Sequence, residues 1–137
     1  MRIRLRKVDK LFSEYMRLYQ DFTCQRCGKK YVFDGVVVGN LQNLGVSHYF
    51  GRSRENTRFD IENCDLLCSI PCHHYWGGEG REEYKQHMIK KLGQERYDLL
   101  ELQANTYKKR DDKMTEIILN EMLKQLKAYS ILQAQTG

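Results

Sequence analysis

Cys24-Gln25-Arg26-Cys27-Gly28-Lys29-Lys30 decides the fold, together with Cys64-Asp65-Leu66-Leu67-Cys68-Ser69-Ile70-Pro71-Cys72-His73-His74 further along. Two thiolates separated by two residues grip one metal ion from a tight turn, and Gly28 directly after them permits that turn. The second stretch offers Cys68 and Cys72 to complete a tetrahedral set. A CxxC alone is shared with redox motifs; paired with a later Cys/Cys/His cluster it reads as a metal site. The chain has five cysteines, an odd number, and a reducing cell interior disfavours disulfides. The spacing therefore predicts a structural Zn²⁺ on Cys24, Cys27, Cys68 and Cys72. Cys64 falls outside the pattern and reads as a buried thiol. A staple of this kind replaces the core that so short a unit cannot build for itself.

Working outward, Val8, Leu11, Phe12, Tyr15, Met16 and Tyr19 recur at helical spacing and predict an amphipathic helix ahead of the first cysteine pair. Asp34-Gly35 and Gly39-Asn40 are turn signals around Val36-Val37-Val38, and 45–50 is a second short strand. A hairpin or a pair of short strands is expected between 31 and 50. Residues 51–63 read as an ordered loop holding Arg52, Arg54 and Arg58. Helices follow over 82–92, ending at Gly93, and over 94–106, with Tyr97, Leu99, Leu100 and Leu102 available for packing. A long amphipathic helix is expected over 111–132, with Met114, Ile117, Ile118, Glu121, Met122, Leu126 and Tyr129 on one stripe. The fold class is α+β: a zinc-stapled ββα core, an N-terminal helix and a helical C-terminal region. The divisions are 1–22, a basic arm and helix; 23–80, the zinc-bound core; and 81–137, the helical extension.

The net charge is +5 over 137 residues, and its placement matters more than its size. Residues 1–33 hold nine Lys/Arg against three Asp/Glu, whereas 34–137 hold fourteen against fifteen. All the excess positive charge lies in the first quarter, which points to a polyanionic partner, nucleic acid first. A composition 41% hydrophobic and 30% charged excludes collagen-like and low-complexity chains. No apolar run approaches the ~20 residues of a membrane span, and the basic start lacks a signal peptide's apolar stretch, so a cytoplasmic chain without membrane contact is expected.

The stretch 47–74 carries the chemistry. His48 ends a strand, Asn63 lies in the loop that follows, and His73 and His74 come directly after the last cysteine. A His, an Asn and a His threaded through a zinc-stapled ββα unit is the order of parts in an HNH nuclease. A strand-borne imidazole can take a proton from water near neutral pH. An Asn can pin the loop and orient that ring without adding charge. A divalent metal can act as Lewis acid at the phosphate. His48, Asn63 and His73 are the candidate catalytic residues. His73, with His74 as the alternative, is the candidate ligand of a catalytic Mg²⁺ or Mn²⁺.

Several segments make the resemblance specific: Leu11-Phe12-Ser13-Glu14-Tyr15-Met16-Arg17-Leu18, the pair Cys24/Cys27 with Gly28-Lys29, Ser47-His48-Tyr49-Phe50-Gly51-Arg52, and Thr57-Arg58-Phe59-Asp60 with Asn63. Together they resemble the bacteriophage NinG (Rap) recombination nucleases, a branch of the treble-clef HNH endonucleases, over roughly residues 8–105. The resemblance implies a structure-selective endonuclease acting on branched DNA such as four-way (Holliday) junctions, in the host cell cytoplasm when phage-encoded. The alternative is a non-catalytic zinc module that binds nucleic acid.

Two departures stand out. Many HNH enzymes carry a metal-binding Asp directly before the base, and here that slot is Ser47. The second cysteine pair is one residue longer than CxxC. Arg52, Arg54 and Arg58, with Arg2, Arg4, Arg6 and Lys7 of the basic arm, are the candidate DNA contacts, Arg52 first. Symmetric cutting of a junction favours a homodimer.

Overall fold

A computed structural model of the protein describes residues 5–136, with side chains through residue 133. Helix α1 (Lys7–Tyr19) forms where the sequence places its apolar stripe. Val8, Phe12, Tyr15 and Met16 are buried, while Tyr19 projects into solvent and stacks on Tyr15. Asp9 caps the helix by accepting the Arg6 N–H at 2.7 Å, which satisfies one donor that has no partner within the helix.

Two small antiparallel sheets follow. In the first, β1 (Val32–Phe33) pairs with β2 (Val36–Val37) around Asp34-Gly35. The second joins β3 (Leu44–His48) to β4 (Cys64–Cys68), with Ser47 opposite Asp65 and His48 opposite Cys64. The strand at 45–50 thus pairs across the arginine loop with a strand that the sequence did not announce. The reason is burial. All five residues of β4 are buried, so no alternation of polar and apolar residues marks it. Its two faces meet different partners. Phe12 of α1 approaches His48 on one, with ring centroids 6.1 Å apart. On the other, Ser47 and Asp65 meet the helix that follows.

After β4 the chain passes through the turn 69–73 into the one-turn helix α2 (His74–Gly77). Helices α3 (Arg81–Leu92) and α4 (Gln94–Ala104) are separated by Gly93, whose φ of +84° is easy only for glycine. Tyr97 and Leu100 of α4 are buried, whereas Leu99 and Leu102, also expected to pack, are exposed.

Helix α5 (Asp112–Thr136) lies against α1. Its covered face is Thr115, Leu119 and Leu123, with Met122 and Leu126 partly buried. The expected single stripe divides: Met122 and Leu126 lie toward the body, whereas Met114, Ile117, Ile118, Glu121 and Tyr129 face solvent. Apolar residues occupy two faces of this helix, and the periodicity did not say which of them meets the body.

Candidate functional site

The four cysteines meet as their spacing predicted. The Sγ atoms of Cys24, Cys27, Cys68 and Cys72 all lie within 4.8 Å of one another. Gly28, at φ +78°, closes the first turn, and the Cys27 N–H donates to Cys24 Sγ at 3.5 Å. Arg26 Nη1 reaches Cys72 Sγ at 3.6 Å, and the Tyr31 hydroxyl lies 3.0 Å from Cys68 Sγ. Donors directed at thiolate sulfurs orient the ligands and favour their charged form. Four soft donors converging in this way fit Zn²⁺. The extra residue in Cys68–Cys72 is absorbed in the turn without displacing Cys72. Cys64 stands apart: it is fully buried, and burial pushes its thiol well above the ordinary value.

His48 ends β3 and lines a cleft of about 320 Å³ between α1 and β3. Lys10, Arg17 and Arg52 line the same cleft, with Asp9, Phe12 and Ser13. The His48 Nε2 atom is shut off from solvent and has no hydrogen-bond partner among the described residues. Burial drives its pKa from 6.5 down to about 4; the Arg52 charge adds to this, and Asp9 and a hydrogen bond to the Arg58 backbone oppose it. The ring is therefore neutral near pH 7, with a lone pair available on Nε2.

Asn63 is fully buried and holds the loop that leaves His48. Its Oδ1 accepts the Phe50 N–H at 2.9 Å, and its Nδ2 donates to Phe50 O at 3.0 Å and Thr57 O at 3.1 Å. Its own carbonyl accepts the Tyr49 N–H at 2.9 Å. It touches the loop and not the imidazole, so it orients His48 through the backbone.

His73 and His74 are exposed at the start of α2 and line a second pocket with Ile70, Pro71 and Tyr75. Partial shielding lowers the His73 pKa, and the nearby Arg52 and His74 lower it further. Arg52 thus acts electrostatically on both His48 and His73, which places the three in one neighbourhood. Among the described residues, the four cysteines form the one cluster of three or more potential metal ligands.

The arginines divide. Arg52 lines the His48 cleft. Arg54 bonds to the Asn105 side chain and to Ala104 O. Arg58, read from sequence as a DNA contact, is 4% exposed and forms a two-pronged pair with Asp9: Nε to Oδ1 at 3.0 Å and Nη2 to Oδ2 at 2.7 Å. Arg6 pairs with Glu55 and Asp112, and Lys7 with Glu116. Arg2 and Arg4 lie outside the described residues.

Sequence reasoning missed two carboxylates. Asp9 ties α1 to the arginine loop through Arg58. Asp65, 1% exposed, accepts from Gln20 at 2.9 Å and from Lys91 at 3.1 Å, and lies 3.0 Å from His87 Nε2. His87, given no role from sequence, also packs on Trp76 at 4.8 Å. No local pattern marks either acid, because the partners are remote in the chain.

These features define a small mixed α+β protein with a four-cysteine cluster that fits a zinc ion and a basic, histidine-bearing cleft. The model of the bacteriophage lambda NinG protein family matches residues 4–130, and the chain belongs to that family. No curated protein and no solved structure matches it. Among the described residues no helix is long and apolar enough to cross a membrane.

Proposed function

We propose that the protein is a structure-selective DNA endonuclease that hydrolyses phosphodiester bonds in branched recombination intermediates such as four-way junctions, inside the infected host cell. The observation that carries the reading is His48: a neutral imidazole with an unpartnered Nε2, in a cleft lined by three cations, on a loop pinned by Asn63. The β3–β4 pair followed by α2 corresponds to the ββα unit of an HNH site, and the four-cysteine cluster corresponds to its zinc staple.

In this reading, seating of the DNA opens the cleft wall over His48 Nε2, which takes a proton from water as the water oxygen bonds to phosphorus; the P–O bond to the leaving sugar breaks, and the sugar oxygen takes a proton from solvent. Arg52 faces the phosphate and offsets the charge that builds on its oxygens. Lys10 and Arg17 hold the strand in the cleft. A Mg²⁺ or Mn²⁺, when bound, would supply further charge neutralisation, and His73 or His74 would hold it. Asn63 keeps the loop, and with it Arg52, in register with His48.

The absence of a second cluster of three metal-ligating side chains among the described residues favours one other reading, a zinc module that binds DNA without cutting it. One experiment separates the two. The full chain is incubated with Mg²⁺ or Mn²⁺ and either a four-way junction or a linear duplex, alongside His48→Ala. Metal-dependent cutting of the junction that falls about 10²–10⁴-fold in His48→Ala, with binding retained, supports the nuclease. Binding without cutting by the parent protein supports the module.

A further inference from the structure

Helix α5 presents two apolar faces, and α1 covers one of them. On the other, Met114, Ile117, Ile118 and Tyr129 are 54%, 64%, 51% and 59% exposed. At about 100° per residue they form a stripe rotated by roughly 150° from the buried Leu119 and Leu123. Met114, Ile118, Glu121, Gln125, Ala128 and Leu132 run along it at spacings of four, three, four, three and four. That is the seam spacing of a coiled coil.

We propose that this stripe is the interface of an antiparallel, twofold dimer of this chain, with Glu121 of one copy opposite Gln125 of the other. The inference stands independently of the nuclease reading. The seam is self-complementary in this direction. With Glu121 against Gln125, Ile118 falls against Ala128 and Met114 against Leu132, and each layer occurs twice about the symmetry axis, as an isologous interface requires. Ile117 and Ile131, both exposed, flank one edge of the seam, and Tyr129 flanks the other.

The polar layer chooses the direction. Gln125 Nε2 already donates to Glu121 of its own helix at 3.3 Å, and its second amide hydrogen can donate to Glu121 of the other copy in antiparallel pairing, whereas parallel pairing sets Glu121 on Glu121. A buried polar layer is a known device for fixing register. Charge agrees. Asp112, Glu116 and Lys127 are paired on the α1 side with Arg6, Lys7 and Glu14, which leaves Glu121 in the first half of α5 and Lys124 in the second for the other face. Antiparallel pairing brings Lys124 beside Glu121 of the other copy and opposes the two helix dipoles. Because α5 rests on α1, and α1 lines the His48 cleft, such a dimer fixes two clefts in one twofold arrangement.

Sedimentation equilibrium of the full chain with reductant tests this. The parent protein is expected at twice its 16.3 kDa chain mass. Ile117→Glu with Ile118→Glu should sediment as a single chain with unchanged circular dichroism and zinc content, because both side chains are exposed in the isolated subunit. Gln125→Lys should tighten the dimer roughly two- to fivefold through its two symmetric pairs, and Gln125→Glu should loosen it. A parent protein that stays at the mass of one chain at about 100 µM overturns the proposal and leaves the face to another partner. So does a double-Glu variant that remains dimeric. Looser pairing in Gln125→Lys with tighter pairing in Gln125→Glu overturns the antiparallel register.

Discussion

If the protein cuts DNA as proposed, the depressed pKa of His48 makes the acid limb of the cleavage rate a direct probe of the cleft. An ordinary imidazole titrates at 6.5, and burial with the Arg52 charge carries His48 down to about 4. At pH 6.5 it should then be only about 0.3% protonated, where an unperturbed ring is half protonated. Between about pH 7.5 and 5.5 the single-turnover rate on a four-way junction should stay nearly flat, whereas a base of ordinary pKa loses about tenfold. The same shift sets a stability window. The unfolded chain takes up a proton near 6.5, and the folded chain only near 4. The contribution is therefore complete above 6.5 and is lost as pH falls towards 4. It amounts to roughly 3 kcal/mol, and it disappears from the difference between pH 7 and pH 4 in His48→Ala. Arg52→Gln removes the cation and should raise the imidazole midpoint, read from ring-carbon chemical shifts. An acid limb centred near 6.5, with an imidazole titration to match, would refute the closed-off Nε2 on which the reading rests.

Asn63→Ala removes three side-chain hydrogen bonds and leaves the Phe50 N–H and two carbonyls unpaired, so urea melts should show a loss of about 2–4 kcal/mol. Arg58→Met strands the buried Asp9 carboxylate and should cost about 3–5 kcal/mol, most of it recovered when Asp9→Leu is added. Metal analysis should find about one zinc per chain, and a chelator that strips it should unfold the 24–74 unit, because binding and folding are one free energy there. Ser47→Asp should lower the urea midpoint without tightening Mg²⁺ or Mn²⁺ binding.

The four-cysteine cluster was legible because ligand chemistry resides in residue type. A structural zinc site takes only Cys or His with rare exceptions, so two spaced cysteine pairs, Cys24/Cys27 and Cys68/Cys72, signal such a site from sequence alone. Helix α1 was legible because only one of its faces is apolar. Strand β4 was not, since burial on both faces erased the period of two. The apolar residues of α5 read as one stripe but divide between two faces, and periodicity offers no basis for telling which face meets the body. Arg58 was misread for a different reason. A buried arginine is accommodated only with a carboxylate in reach, and Asp9 lies 49 positions away along the chain. Charge runs in the sequence report composition, whereas the role of each cation depends on which acids the fold brings to it. Arg6, Lys7 and Arg58 meet acids; Arg52 lines the His48 cleft.

The serine before the base makes sense once the faces of the β3–β4 sheet are told apart. Neighbouring residues of a strand point to opposite sides. His48 faces α1 and the cationic cleft, so Ser47 faces α3, where its hydroxyl lies 2.9 Å from that of Tyr84 and the residue is only 2% exposed. Asp65 is its cross-strand partner and already occupies that side as a buried carboxylate, held by Gln20, His87 and Lys91. A second carboxylate at 47 would stand next to the first in a medium that screens poorly, and like charges in that setting repel strongly. A small hydroxyl that pairs with Tyr84 is what this side of the sheet accommodates. In the proposed nuclease reading, the positive charge facing the phosphate comes from the His48 side of the sheet, from Arg52, Lys10 and Arg17, and a carboxylate at 47 would point away from it.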